Sequence, residues 1–469
     1  MSTPGRLGLV LALLTAVAAG QAPGPVADAV PAAARAAVVG ATVVCPDVRQ
    51  VGERGATAGR AGSGTAAGRL GEPAAALAPA PVVRDLAGNE PAGAVVVTAQ
   101  GPAAGALLAE QSTRATAGNR LGVAALSCPA PGASHWFVGG STRVGHSAEL
   151  LLVNVEDAPA VVDVGVWTSD GPADPRPGRG IRVPARGRAS VPLERLAPDR
   201  DLLAVHVRSA RGRVAAALRV VRVDGRIPLG TDWVPATQPA GDVVVPGLPR
   251  GPGRRTALIT NPGGDDAVVR VELTTDDGRL VPDGMAAVAV PAGTSVQLDL
   301  SEALAATPAA MRVVSDGPAV LAGAAIVDRQ DGPVREIAYS AGTPALTRPA
   351  LLADVRLSPP TEVTLLLSAL SGDAAVDVVP VAAPGGLPEP RRVEVPSGTT
   401  VAVRLSRFLP PRSTGSLAVE VRPVSGPVHA ARYARERGVR GPLTTLLPLG
   451  PPRTTVSRPA VVADPGAGR

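Results

Sequence analysis

Five copies of one short aliphatic phrase divide this chain into four stretches of roughly a hundred residues, and no other feature restricts its folding as much. The copies are TVVCPD from Thr42, HWFVGG from His135, DVVVPG from Asp242, ALLADV from Ala350 and AVVADP from Ala460. The last two sit inside longer matches, TRPALLAD at residues 347–354 and SRPAVVAD at residues 457–464. Self-similarity at a fixed period marks one supersecondary unit used repeatedly, each copy contributing its own core. A chain of 469 residues also exceeds what a single core usually holds.

Inside the last three stretches the same landmarks recur in order. An alternating run comes first, at ELLLVNVEDAPAVVDVGVW from Glu149, ALITNPGGDDAVVRVEL from Ala257 and TLLLSALSGDAAVDVV from Thr364. A Gly turn follows at Asp170-Gly171, Asp277-Gly278 and Gly385-Gly386, and then VPARGRASVPL, VPAGTSVQL and VPSGTTVAV. The fourth landmark occurs in all four stretches and hinges on Gly101, Gly212, Gly317 or Gly426. Two period-two runs about a Gly turn read as a β-hairpin. In Ala267 to Leu273, Val269, Val271 and Leu273 share one face while Arg270 and Glu272 share the other, as in a half-buried strand.

Seven or so short strands per stretch give an all-β fold of tandem immunoglobulin-like β-sandwich domains. Composition agrees. Hydrophobic residues make up 45% of the chain, yet only three Trp, two Tyr and two Phe are among them, so Ala, Val and Leu must fill the cores. The 54 Gly and 50 Pro punctuate many turns. The expected organisation is a signal peptide at 1–20, a linker at 21–36, a degenerate sandwich at 37–128, and sandwiches at 129–236, 237–345 and 346–464. A tail follows at 465–469. A boundary strand could serve the sandwich before it or after it. The terminal copy favours closing the preceding one, since a Val-rich strand left unpaired is an aggregation hazard.

The first residues, MSTPGRLGLVLALLTAVAAG, place one Arg ahead of an apolar run of about thirteen residues and then small residues. That layout is a secretory signal, and the run is short of the ~20 residues that span a bilayer. The expected location is therefore extracytoplasmic, secreted or in the cell envelope, with no membrane span after cleavage. Export permits disulfides, and the two cysteines, Cys45 and Cys128, are expected to pair and staple the degenerate first domain. All 46 basic residues are Arg, with a net charge of +6 spread along the chain. No clustered basic face of the kind nucleic acid requires is evident.

Taken together, CPAPGASHWFVGG from Cys128, GTDWVPA from Gly230, VVVPGLP from Val243, ITNPGGDDAVVRVEL from Ile259, VPAGTSVQLDL from Val290 and VVSDGPAVLAGA from Val313 resemble an uncharacterised family. That family comprises actinobacterial secreted or membrane-anchored proteins carrying a domain of unknown function. The resemblance implies an extracytoplasmic β protein and supplies no activity.

Chemistry-bearing residues are sparse. Of the four histidines, His206 and His429 fall in different domains, while His135 and His146 flank WFVGGSTRVG with only Glu149 close by, too little for a zinc site. There is no G-x-S-x-G elbow, and the lack of Lys excludes S-x-x-K hydrolases. Asp265-Asp266 and Asp276-Asp277 read as turn residues. Trp136 and Trp233 flank boundary strands and suit packing between domains, while Trp167 is either exposed or covers a junction. Two Arg clusters remain, Arg176, Arg179, Arg182, Arg186 and Arg188, and Arg432, Arg435, Arg437 and Arg440. The first is the candidate site for an anionic partner. No catalytic, cofactor-binding or metal site is expected. The expected function is a non-catalytic spacer or interaction scaffold of the envelope, touching envelope proteins or anionic wall polymers. The alternative is a glycan- or polymer-binding protein, with a hydrolase last.

Overall fold

A computed structural model describes residues 34–46, 53–60, 65–70, 75–76, 82–86, 93–115, 121–328, 336–356, 361–381, 389–408, 416–438, 441–452 and 455–458. The expected signal peptide, most of the linker, residues 459–464 of the last boundary phrase and the tail lie outside these. The chain divides into two compact units. The smaller takes in residues 1–36 and 456–469, of which 34–36 and 456–458 are described and belong to the paired strands Ala34–Ala37 and Thr455–Arg458. Of the strand expected to close the last sandwich, then, only Ser457 and Arg458 are described, and they lie in that pairing.

The larger unit, residues 37–455, is built of antiparallel sheets that face each other in pairs. Within each pair one sheet begins with the boundary phrase. In the second sandwich β3 (Ser134–Val138) pairs with Ala204–Arg211, which pairs with Ala160–Thr168. The facing sheet runs Arg188–Pro192, His146–Val153, Ala215–Asp224, then β4 (Ile227–Val234). In the first sandwich β1 (Gly40–Cys45) and β2 (Gly122–Ser127) hold the corresponding places. In the third they are β5 (Asp242–Leu248) and β6 (Ile337–Ala341), and in the fourth β7 (Ala350–Arg356) and β8 (Gly441–Leu449). Among the described residues each sheet of the fourth sandwich has four strands, and Ser457 and Arg458 are in neither.

Alternation explains why these segments are strands. Along Ala160–Thr168 every even-numbered residue is buried and every odd one is partly open. Four aliphatic cores result, centred on residues such as Leu150, Val164 and Val205 in the second sandwich, and Val269, Leu273 and Val313 in the third. Among the described residues the core of the first sandwich comprises Val43, Cys45, Val95, Val97, Ala99, Ala104, Leu107, Ala109 and Cys128. Its disulfide, Cys45–Cys128, ties the end of β1 to the residue after β2.

The boundary strands lead the sandwich that follows them, and they are apolar on both faces for a reason. One face enters the sandwich's own core, and the other lies on the second sheet of the next sandwich. Val44 of β1 packs with Val153 and Ala215 of the second sandwich. Val138 of β3 approaches Gly323 so closely that a Cβ there would lie 2.8 Å away. In β5, Gly247 has φ +81, and a Cβ on it would fall 2.2 Å from that of Ala431, so only glycine lets these backbones meet. Finally β7 packs against Glu53–Arg60 and Leu108–Ala115 of the first sandwich, and Ala125 joins the fourth core. Each sandwich thus covers the next, and the fourth covers the first.

The last strands complete the circuit. β2 lies against β4, β4 against β6, β6 against β8, and β8 against β2. On the axis of this ring stands the fully buried carboxyl of Asp232 in β4. It accepts from Thr445 Oγ1 of β8 at 3.0 Å and from the Tyr339 backbone N–H of β6 at 3.2 Å. The backbone N–H groups of Trp233 and of Ala125 in β2 also donate to it. One side chain therefore gathers all four sandwiches. At the seam between first and fourth, Arg432 pairs with Glu110 at 2.5 Å, both nearly fully buried. Arg114 reciprocates with a two-pronged bond to Glu436, Nε to Oε1 at 2.8 Å and to Oε2 at 3.0 Å.

Candidate functional site

The outward face of the first sheet in the second sandwich carries a group of aromatic rings. Ser134 and Trp136 are two residues apart on β3, so they share a face. The register sets Trp136 directly opposite His206, which is in turn opposite Gly165 of Ala160–Thr168. The imidazole stacks on Trp136 with ring centroids 3.8 Å apart and planes within 3°. Trp167 completes the group, 5.0 Å from Trp136 and tilted 41°. Gly165 makes room for it, since a Cβ there would press on the Trp167 ring at 3.1 Å. All three rings are half-buried.

His206 Nε2 lies 2.9 Å from Ser134 Oγ, the distance of a nucleophile and its base. Two observations weigh against that chemistry. Burial first, then the positive Arg208 and His135, push His206 down to about 4, so it is neutral and only weakly basic near pH 7. The charged neighbours acting on it include no carboxylate that would orient and stabilise an imidazolium. What the group offers is a partly exposed aromatic patch, on the same face of β3 as the Val138 that meets the third sandwich, with a hydroxyl and a neutral imidazole at its edge. Such a surface presents negative π faces to weakly positive C–H groups.

The five arginines expected to form an anionic site lie on loops and strands around this sheet. Arg176 sits in a short 3-10 turn and is paired with Asp174 at 2.8 Å. Arg186 is bound to Asp157. Arg179 is exposed, Arg182 lies in the edge strand Ile181–Val183, and Arg188 lies in Arg188–Pro192 of the opposite sheet. The loop bearing Arg176 and Arg179 runs back along the strand that carries Trp167. Its Ala173 N–H donates to Val166 O at 2.8 Å, and its Gly180 N–H donates to Asp163 at 2.8 Å.

The remaining candidates occupy structural positions. His135 is buried with Nε2 2.7 Å from Val214 O, and His146 lies on the facing sheet beside Arg222, so the two do not converge. His429 Nδ1 is 3.1 Å from Thr343 O. Asp266 caps the Ala292 N–H at 2.8 Å, and Asp277 donates its backbone N–H to Thr275 Oγ1. Trp233 is buried between the first and second sandwiches with Ala124, Leu126, Leu151 and Ala217, and Arg219 lies over its ring at 5.6 Å. Of the second Arg cluster, Arg432 is consumed by the seam and Arg435 lines a cleft between the third and fourth sandwiches. Among the described residues no helix is long and apolar enough to cross a membrane. Sequence reasoning did not join Ser134, Trp136 and His206, because only the strand register, seventy residues apart in the chain, brings them together.

A model of a family of unknown function, DUF5719, matches residues 83–406. No curated protein and no solved structure matches the chain.

Proposed function

For a chain that belongs to the DUF5719 family, we propose the role of an exported, non-catalytic interaction scaffold of an actinobacterial cell envelope. The observation that carries this reading is the convergence of β2, β4, β6 and β8 on Asp232. A spacer would gain from length, which closure of four sandwiches into a ring gives up. A scaffold gains from rigidity, because surfaces fixed on a frame bind with less entropy lost. We read the recurring landmarks as copies of one unit, duplicated in tandem, with the first copy degenerate and held by its disulfide. That bond and the apolar N-terminal run both suit an oxidising compartment outside the cytoplasm. The test is fractionation followed by N-terminal sequencing and pulldown from envelope extract. The mature chain should start near residue 21, be found outside the cytoplasm and recover a reproducible envelope component. An uncleaved chain in the cytoplasmic fraction contradicts the proposal.

A second reading, carbohydrate binding, is favoured by the Trp136–His206–Trp167 group. The apolar face of a pyranose ring suits a flat aromatic surface, with Ser134 and the flanking Arg residues available to hydroxyl or acid groups. Titrating soluble wall oligosaccharides against Trp fluorescence tests it. The change should vanish in W136A/W167A, which retains Trp233. A signal that persists in that variant removes the site.

A further inference from the structure

We propose that the cleft between the third and fourth sandwiches is a binding site for a ligand bearing two or more closely spaced carboxylate or phosphate groups. The cleft has a volume of about 580 Å³, within the range of small-ligand sites. Five guanidinium groups line it, from Arg250, Arg255, Arg404, Arg407 and Arg435, against only two carboxylates, Asp328 and Glu362.

Both carboxylates are already committed. Asp328 Oδ1 accepts from the buried Arg255 at 2.8 Å, and its other oxygen accepts from the Tyr433 hydroxyl. Glu362 pairs with Arg404 at 2.7 Å. The same Arg255 fastens the loop after β5, donating to Pro252 O at 2.6 Å and to Pro249 O at 3.3 Å. The floor is thus a fixed, satisfied network in which Arg255 is 1% exposed. That network presents Arg250 on a braced loop beside Arg407 and Arg435.

Those three guanidinium groups have no carboxylate partner among the described residues lining the cleft, which leaves an excess of three positive charges. Guanidinium stays protonated at any physiological pH and offers a planar fork that fits carboxylate and phosphate oxygens two at a time. Charges of one sign gathered in a low-dielectric cleft also concentrate the opposite ion. The cleft is distinct from the aromatic face of the second sandwich, so this assignment stands or falls independently of the carbohydrate reading.

Calorimetric titration of the full chain at low salt with pyrophosphate and, separately, with citrate tests the assignment and distinguishes phosphate from carboxylate chemistry. At least one should bind saturably with one site per chain, and the affinity should fall as salt rises. In R407S/R435S the affinity should drop tenfold or more, while R176S/R179S binds as the parent does. Arg250→Ser alone, on an exposed loop residue, provides a second variant should the double one fold poorly, and its binding should also weaken. Absence of saturable binding for both anions overturns the proposal. So does unchanged affinity in well-folded R407S/R435S or R250S.

Discussion

The hydroxyl of Thr445 donates to Asp232 Oδ1 at 3.0 Å although 213 residues separate the two in the chain. Such a bond exists only if the fourth sandwich returns to the second, and the same carboxyl also takes N–H donors from the first and third. A string of independent beads would leave this group in water. Here it is fully buried, so the junctions between sandwiches are part of the core.

The axis should make stability depend on pH. Burial pushes Glu336 well above the usual carboxylate range, and Asp232 likewise. A carboxyl raised in the folded state keeps a proton that the unfolded chain has lost. Its contribution is therefore complete below the unfolded value of about 4.3 and is lost as pH rises toward the folded one. Asp242 and Asp377, held low by Arg312 and Arg392, act oppositely, but only in acid. His206 and His429, both pushed down to about 4 by burial, must gain protons on unfolding below about pH 6.5 and oppose the carboxyls there, so it is between about pH 7 and 8 that the urea midpoint should fall with rising pH. Glu336→Gln should flatten that fall by up to about 1.4 kcal/mol per pH unit. An identical slope in the variant would exclude Glu336 as the source.

Cys45 and Cys128 close a loop with a sequence separation of 83, and both lie in the core of the first sandwich. The chain-entropy model gives such a loop roughly 4.5 kcal/mol. C45A/C128A, or reductant, should lower the melting temperature by an amount consistent with a loss of about 2–5 kcal/mol. Thiol labelling of the untreated protein should find neither cysteine free.

Gly247 should tolerate no side chain. An alanine there meets both a positive φ and the Cβ of Ala431, so G247A should cost about 1–3 kcal/mol through the junction of the third and fourth sandwiches. Gly264 provides the control, since it is exposed and a methyl group added to it would find nothing within 4 Å. G264A should stay within about 0.5 kcal/mol of the parent in denaturant midpoint.

Strands were legible because period-two alternation is local: Val269, Val271 and Leu273 face the core as their spacing implies. The Cys45–Cys128 pairing was legible because the sequence holds only these two cysteines. Closure was not, because it depends on which face of β7 meets Leu108–Ala115, a relation between residues hundreds of positions apart. The clue lay in the boundary phrases of β1, β5 and β7, whose adjacent Val and Leu residues set apolar side chains on both faces. An edge-closing strand would need only one apolar face. A strand trapped between two sandwiches needs both, and that is where β1, β3, β5 and β7 lie. The Trp136–His206 stack was hidden for the same reason, since cross-strand partners follow from register rather than from composition.

Closure of the ring rests on the seam between first and last sandwiches, and a charge-swap cycle at Arg114 and Glu436 tests it most directly. The two residues are 322 positions apart and joined by a two-pronged ion pair. Arg114→Glu and Glu436→Arg should each destabilise the protein by about 3–5 kcal/mol, since each leaves a half-buried charge facing its like. The double swap should restore much of the loss, with a coupling energy of about 0.5–3 kcal/mol in urea unfolding. Strictly additive effects, with no recovery in the double swap, would contradict the ring.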